Sequence, residues 1–282
     1  MTLSRVACAL IVVAIASRGA AVAAAPEGAD TRAVPRPLPP VEVRALRDPV
    51  EKSYRRIVKG MDLFERRRAL APQASLRFKL LPRRRDTDMN AVALRIVGDT
   101  AAIPVPLAAD NTFTLGRFAK ALHEDAVVTP DRRAGSLTWR AEIRTPGLPP
   151  NTRRLGDLRL ECLVGIEAGL VSNAAPSLLG ELASLIADRG YCDQPDPHYL
   201  FFAERHVWSV TLVDGARREV LSVDRLYAGV TVQPMSADDL RHCDCEVLLD
   251  RTYYAPLSDP TWSDETRLEF DYMDESVQTG AR

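Results

Sequence analysis

Apolar positions along this chain recur with two different periods, and each change of period marks a change of element. "DPVEKSYRRIVKG" predicts a helix, with Asp48 as cap, Pro49 at the first helical position, Glu51 closing a capping box and Gly60 as the stop. Val50, Tyr54, Ile57 and Val58 fall on one stripe of it, which becomes the core-facing side. From Leu76 the period falls to two. "ASLRFKLLPR" alternates Leu76, Phe78 and Leu80 with Arg77 and Lys79, and "AVALRIVGDTAAIPVPL" sets two apolar runs around Gly98 and Asp99, the mark of a hairpin. "NTFTL", "EDAVVTP", "GSLTWRAEIRT" and "GDLRLECLVGIEAG" continue the series of short strands, with Leu158, Leu160 and Cys162 on one inward face of the last.

A second helix is expected in "PSLLGELASLIADRG", from Pro176 to Gly190, with Leu178, Leu182, Leu185 and Ile186 as its buried stripe. Strands then return: a hairpin turning at Asp214 and Gly215, "AGVTVQP", the cysteine strand "CDCEVLL", and "TRLEFDYM". The fold class is therefore mainly β with a few helices, α+β, built from β-sandwich-type sheets. One helix leads the first β-rich region, 48–172, and one lies between it and the second, 173–282. No internal repeat decides whether these are two domains or one.

Short strands with turns such as "ADNTFTL" resemble the transthyretin-like, or carboxypeptidase regulatory-like, sandwiches that serve as accessory modules in secreted bacterial proteins. The resemblance spans Leu76 to Leu163, is one of fold, and carries no diagnostic motif. It implies a binding or spacing module rather than a catalytic one.

Composition adds a compartment. Residues 1–24 hold a basic Arg5, an apolar run from Val6 to Ala16 and small residues ending in an A-x-A-like site, the layout of a secretory signal peptide. The run is too short to span a bilayer, and no second run of membrane length follows. Residues 25–47 are rich in Pro and Ala and read as an extended linker. The expected location is periplasmic or secreted. With 27% charged and 46% hydrophobic residues, the remainder is an ordinary globular chain rather than a disordered one.

Net charge is −1, but it is unevenly spread. Between Val41 and Arg85 lie Arg44, Arg47, Lys52, Arg55, Arg56, Lys59, Arg66, Arg67, Arg68 and the run Arg83 to Arg85, against few acids; Ser236 to Glu275 is the acidic counterpart. Such segregation means an anionic partner for the basic part, two parts of one protein facing each other, or solvated faces. On the first reading Arg66, Arg67 and Arg68 are the candidate binding residues, and the partner is an anionic envelope polymer or another protein. Nothing points to nucleic acid, a metal or a cofactor.

The catalytic motifs of common hydrolases, nucleotide-binding loops and zinc proteases are absent from the sequence. "DTDMNAVALRIV" spaces Asp86, Asp88 and Asn90 like the opening of a calcium loop but has Ala91 and Val97 where that loop needs glycine and glutamate, so it reads as a polar turn. His123, His198, His206 and His242 are scattered. Tyr253, Tyr254, Trp262, Phe270 and Tyr272 suggest a sugar platform, yet the alternation of Leu268, Phe270 and Tyr272 against Arg267, Glu269 and Asp271 favours a half-buried strand. Cys8 leaves with the signal. In an exported chain Cys162, Cys192, Cys243 and Cys245 form two disulfides, with Cys162 and Cys192 tied to the cysteine strand in preference to a small Cys243–Cys245 ring. The functional expectation is a non-catalytic binding or structural module. The alternative is an envelope-acting hydrolase that uses carboxylates of the acidic C-terminal region, such as Glu269 and Asp271.

Overall fold

The structure is a computed structural model that describes residues 51–171, 190–195, 199–230 and 247–273. In chain order the elements are β1 (Lys52–Ser53), α1 (Tyr54–Arg66), β2 (Ser75–Pro82), β3 (Leu94–Val97), β4 (Ala102–Val105), β5 (Thr112–Phe113), α2 (Ala119–His123), β6 (Val127–Pro130), β7 (Leu137–Arg144), β8 (Thr152–Arg154), α3 (Leu155–Glu167), β9 (Phe201–Phe202), β10 (Val207–Asp214), β11 (Arg217–Val220), β12 (Thr252–Tyr253) and β13 (Arg267–Tyr272). The described chain is thus mainly β with few helices, in antiparallel sheets ordered β1-β6-β3-β4, β5-β2-β7, β11-β10-β13-β8 and β12-β9.

Both expected hairpins form: β3 pairs with β4 around Gly98 and Asp99, and β10 with β11 around Asp214 and Gly215, where Gly215 takes a left-handed φ of 59°. Leu268 and Phe270 are buried on β13 while Arg267 and Asp271 are exposed.

α1 differs from the expected helix at both ends. Lys52 and Ser53 pair with Val128 and Val127 of β6, and Tyr54 N–H donates to the Ala126 carbonyl at 3.0 Å, so sheet pairing claims these residues and the helix begins after them. Ser53 is the cap, its hydroxyl accepting from Arg56 N–H at 3.4 Å. Gly60 does not stop the helix. It lies inside, where a Cβ would come 2.8 Å from the Ala168 Cβ, and α1 continues to Arg66 because α3 crosses it there.

The largest correction concerns "GDLRLECLVGIEAG", which is the helix α3 and not a strand. Leu158, Leu160, Cys162 and Val164 are all buried, but they face two different cores. Leu160 and Val164 join Tyr54, Ile57, Phe78 and Trp139 on one side; Leu158 and Cys162 join Phe201, Val210, Tyr253 and Leu268 on the other. A helix enclosed on nearly every side shows no stripe, and its even positions mimic a strand. The described residues belong to one compact unit, Ala45–Arg282. Within it β8, before position 172, pairs with β13, after it: Arg154 lies opposite Arg267 and Thr152 opposite Glu269.

Cys162 and Cys192 form a disulfide with Cα atoms 6.1 Å apart. This replaces the expected links from these two cysteines to the cysteine strand, because α3 carries Cys162 to the single turn Tyr191–Asp193 that holds Cys192. Cys243 and Cys245, the signal segment, the linker and the helix expected from Pro176 lie outside the described residues, as do His198 and His242.

Candidate functional site

β8 and α3 carry a run of charged side chains into the junction between the two cores. Arg153 donates through Nη2 to Glu161 at 2.7 Å and to the Ile143 carbonyl at 3.0 Å, and Glu161 also accepts from Ile143 N–H at 3.2 Å. Asp157 accepts from the Thr145 N–H and hydroxyl, both at 2.7 Å, and Arg154 pairs with Glu265. Arg159 is fully engaged, with Asp264 at 2.6 Å and the carbonyls of Leu257, Asp259 and Trp262 between 2.8 and 3.0 Å.

Burial pushes the Glu161 carboxyl up, and Glu142 beside it adds to the effect against Arg153. Burial also opposes ionisation of Glu142, but Arg153, Arg144 and Lys79 outweigh it and hold that carboxyl low. Burial works against the charge on Arg153 too, yet Glu161, Tyr253 and Glu142 together keep it cationic. Carboxyls driven apart in this way are what acid–base catalysis needs. Here the cavity over the cluster is lined by Arg153 and by neither carboxyl, and Glu161 fastens α3 to Ile143 of β7.

That cavity encloses about 320 Å³ between the loop 147–151 and the aromatic residues Phe202, Phe270 and Tyr272. Tyr253 and Arg153 lie beneath it, 0% and 4% exposed. The Tyr253 hydroxyl and Arg153 Nε are buried with no hydrogen-bond partner. At the rim Arg144 pairs with Glu204 at 3.0 Å and with Glu142 at 2.7 Å. Asn151 holds the loop in a left-handed conformation, φ 55°, while its carbonyl accepts from Phe270 N–H at 2.9 Å.

A second surface runs beside the disulfide. Two contiguous cavities of about 530 and 520 Å³ share Arg67, Leu163, Cys192 and Asp193. Arg56 and Lys59 line the first, Arg159 and Trp262 the second. The structure separates the three arginines singled out by sequence. Arg67 caps α1 and lies in both cavities, Arg66 is exposed on the last turn, and Arg68 is taken up by Glu65, through two contacts of 3.0 Å, and by the Phe64 ring at 4.7 Å. Arg56 and Lys59 were present in the basic run without being assigned to a site. Lys59 lies three residues and Arg67 eleven residues after Arg56, the spacing that puts them on one face of a helix.

The acidic counterpart is met elsewhere. Among the described residues Asp264 and Glu265 pair with Arg159 and Arg154, and Glu269 with Arg218 at 2.8 Å and Arg267 at 3.5 Å, so these acids answer arginines outside the basic stretch. Asp271 accepts from the Ser209 hydroxyl at 2.8 Å. Tyr253, Trp262 and Phe270 are core residues, and Tyr272 is partly buried against them. Asp88 accepts from Asn90 N–H at 2.8 Å, and Arg132 binds the carbonyls of both, which makes the aspartate-rich segment an arginine-braced turn. His206 pairs with Asp250, and His123 ends α2. Among the described residues no three His, Cys, Asp or Glu side chains converge on a metal position, and no helix is long and apolar enough to cross a membrane. No protein-family model, curated protein or solved structure matches the chain.

Proposed function

We propose that the protein is an exported, non-catalytic binding module of the cell envelope or secreted space, and that an anionic polymer lies along the groove of Arg56, Lys59 and Arg67. The observation that carries this reading is the alignment of these cations in one groove while Asp264, Glu265 and Glu269 of the C-terminal region pair with other arginines. The Cys162–Cys192 disulfide supports export, since such bonds persist in oxidising compartments. Glu269 and Asp271, the carboxylates of the hydrolase alternative, are engaged with Arg218 and Ser209.

The test is retention on immobilised heparin and on lipopolysaccharide across a salt gradient. Retention should fall steeply with salt, because charges more than about 10 Å apart are screened at 0.1 M. An Arg56→Ala, Lys59→Ala, Arg67→Ala variant should elute at clearly lower salt, and an Arg66→Ala, Arg68→Ala variant should change less. Equal elution of the groove variant and the unmodified protein would refute the groove as the binding surface.

A further inference from the structure

We propose that the cavity under the loop 147–151 is a binding site for a small neutral compound that presents an amide or ester carbonyl from a flat apolar body. This site shares no lining residue with the basic groove and does not depend on it.

Three features of the cavity select the ligand. The first is hydrogen bonding. Arg153 Nε–H and the Tyr253 hydroxyl are buried donors without partners, and both residues line the cavity. A carbonyl oxygen offers two lone pairs and no competing proton, which is what such donors lack. The second is charge balance. Arg153 already has Glu161 at 2.7 Å, and Arg144 has both Glu142 at 2.7 Å and Glu204 at 3.0 Å. Arg205 lies over the Tyr272 ring at 4.3 Å. The charged side chains of the lining are Arg144, Arg153 and Glu204, and both guanidiniums are already answered by carboxylates, so a neutral dipole enters without displacing an ion pair. The third is shape. Phe202, Phe270, Tyr272, Pro149 and Pro150 line about 320 Å³, at the small end of ligand cavities and suited to one flat ring.

The experiment uses benzamide, benzoate and benzylamine, which share a ring and differ in the charge and acceptor of one group. Each is titrated into the full chain while the backbone amide resonances of Asn151, Thr152 and Ala203 are followed. Benzamide should shift these resonances saturably, with benzoate and benzylamine binding at least about tenfold more weakly. Tyr253→Phe should weaken benzamide roughly tenfold and leave the thermal midpoint equal or higher, because it removes an unpartnered hydroxyl and keeps the ring. A response to benzoate or benzylamine as strong as that to benzamide overturns the ligand class. Absence of any benzamide response overturns the site. Should the Tyr253 variant fail to fold, the comparison of the three compounds on the unmodified protein still decides.

Discussion

Arg153 and Glu161 meet at 2.7 Å with 4% exposure each, and at this scale pairing matters more than charge. Bringing two ions out of water is expensive, and only the bond between them and the Ile143 backbone offsets it. Arg153→Met should therefore lower stability in urea unfolding by about 3–5 kcal/mol, since it strands a buried carboxylate. Arg153→Met combined with Glu161→Leu should recover a large part of that loss. A double variant as unstable as the single one would show that the pair does more than satisfy itself. In the strand expected from the sequence Glu161 alternates with Leu160 and Cys162 and so falls on the outward face. α3, packed against β7 and β8, turns Glu161 inward to meet Arg153 of β8. The occupied state of Arg68 was equally hidden: its partner Glu65 is visible three positions back, but the ring of Phe64 becomes a partner only when α1 ends beside it.

At the scale of the element, α1 shows why local signals misplace helix ends. Pro49 and Gly60 are sound punctuation, yet β6 takes Lys52 and Ser53 into a sheet and α3 packs on Gly60. Replacing a helical glycine by alanine ordinarily adds about 0.5–1 kcal/mol. At Gly60 the new Cβ would lie 2.8 Å from the Ala168 Cβ and 3.2 Å from the Val164 carbonyl. Gly60→Ala should instead destabilise by about 1–2 kcal/mol, the usual range for overpacking, as measured by thermal unfolding. A stabilised variant would mean that α1 and α3 can move apart at no cost. Strands with one wet face, such as β2 and β13, were legible because their alternation survives folding. α3 was not, because burial on both sides erases the stripe that identifies a helix.

Across the whole molecule, the disulfide and the distribution of charge set how the parts hold together. The Cys162–Cys192 bond closes a loop over 30 positions and joins α3 to the turn at Tyr191–Asp193, beside the basic groove. On loop-closure entropy it should contribute about 3–4 kcal/mol, so a Cys162→Ser, Cys192→Ser variant should lose that amount in urea unfolding. A variant of unchanged stability would place the effect of the bond in local order alone. Charge segregation was plain in the sequence, but the pairs Arg154–Glu265 and Arg159–Asp264 join the middle of the chain to its acidic end, and not the basic stretch to it.

What the sequence determined by itself follows from short range: the mainly β class, the two hairpins, the alternation of β13 and the polar turn at Asp88. Each rests on residues within a few positions of one another, whose steric and hydrogen-bonding preferences act before any distant contact exists. The tertiary structure alone decided that "DLRLECLVG" is a helix, that Cys162 reaches Cys192, that Arg67 joins Arg56 and Lys59 while Arg68 does not, and that Tyr253 and Arg153 keep unpartnered donors beneath a cavity. These outcomes depend on which surfaces enclose a segment from both sides. Position along the chain carries no record of that, because the enclosing residues come from β7, β9, β10 and β13 together.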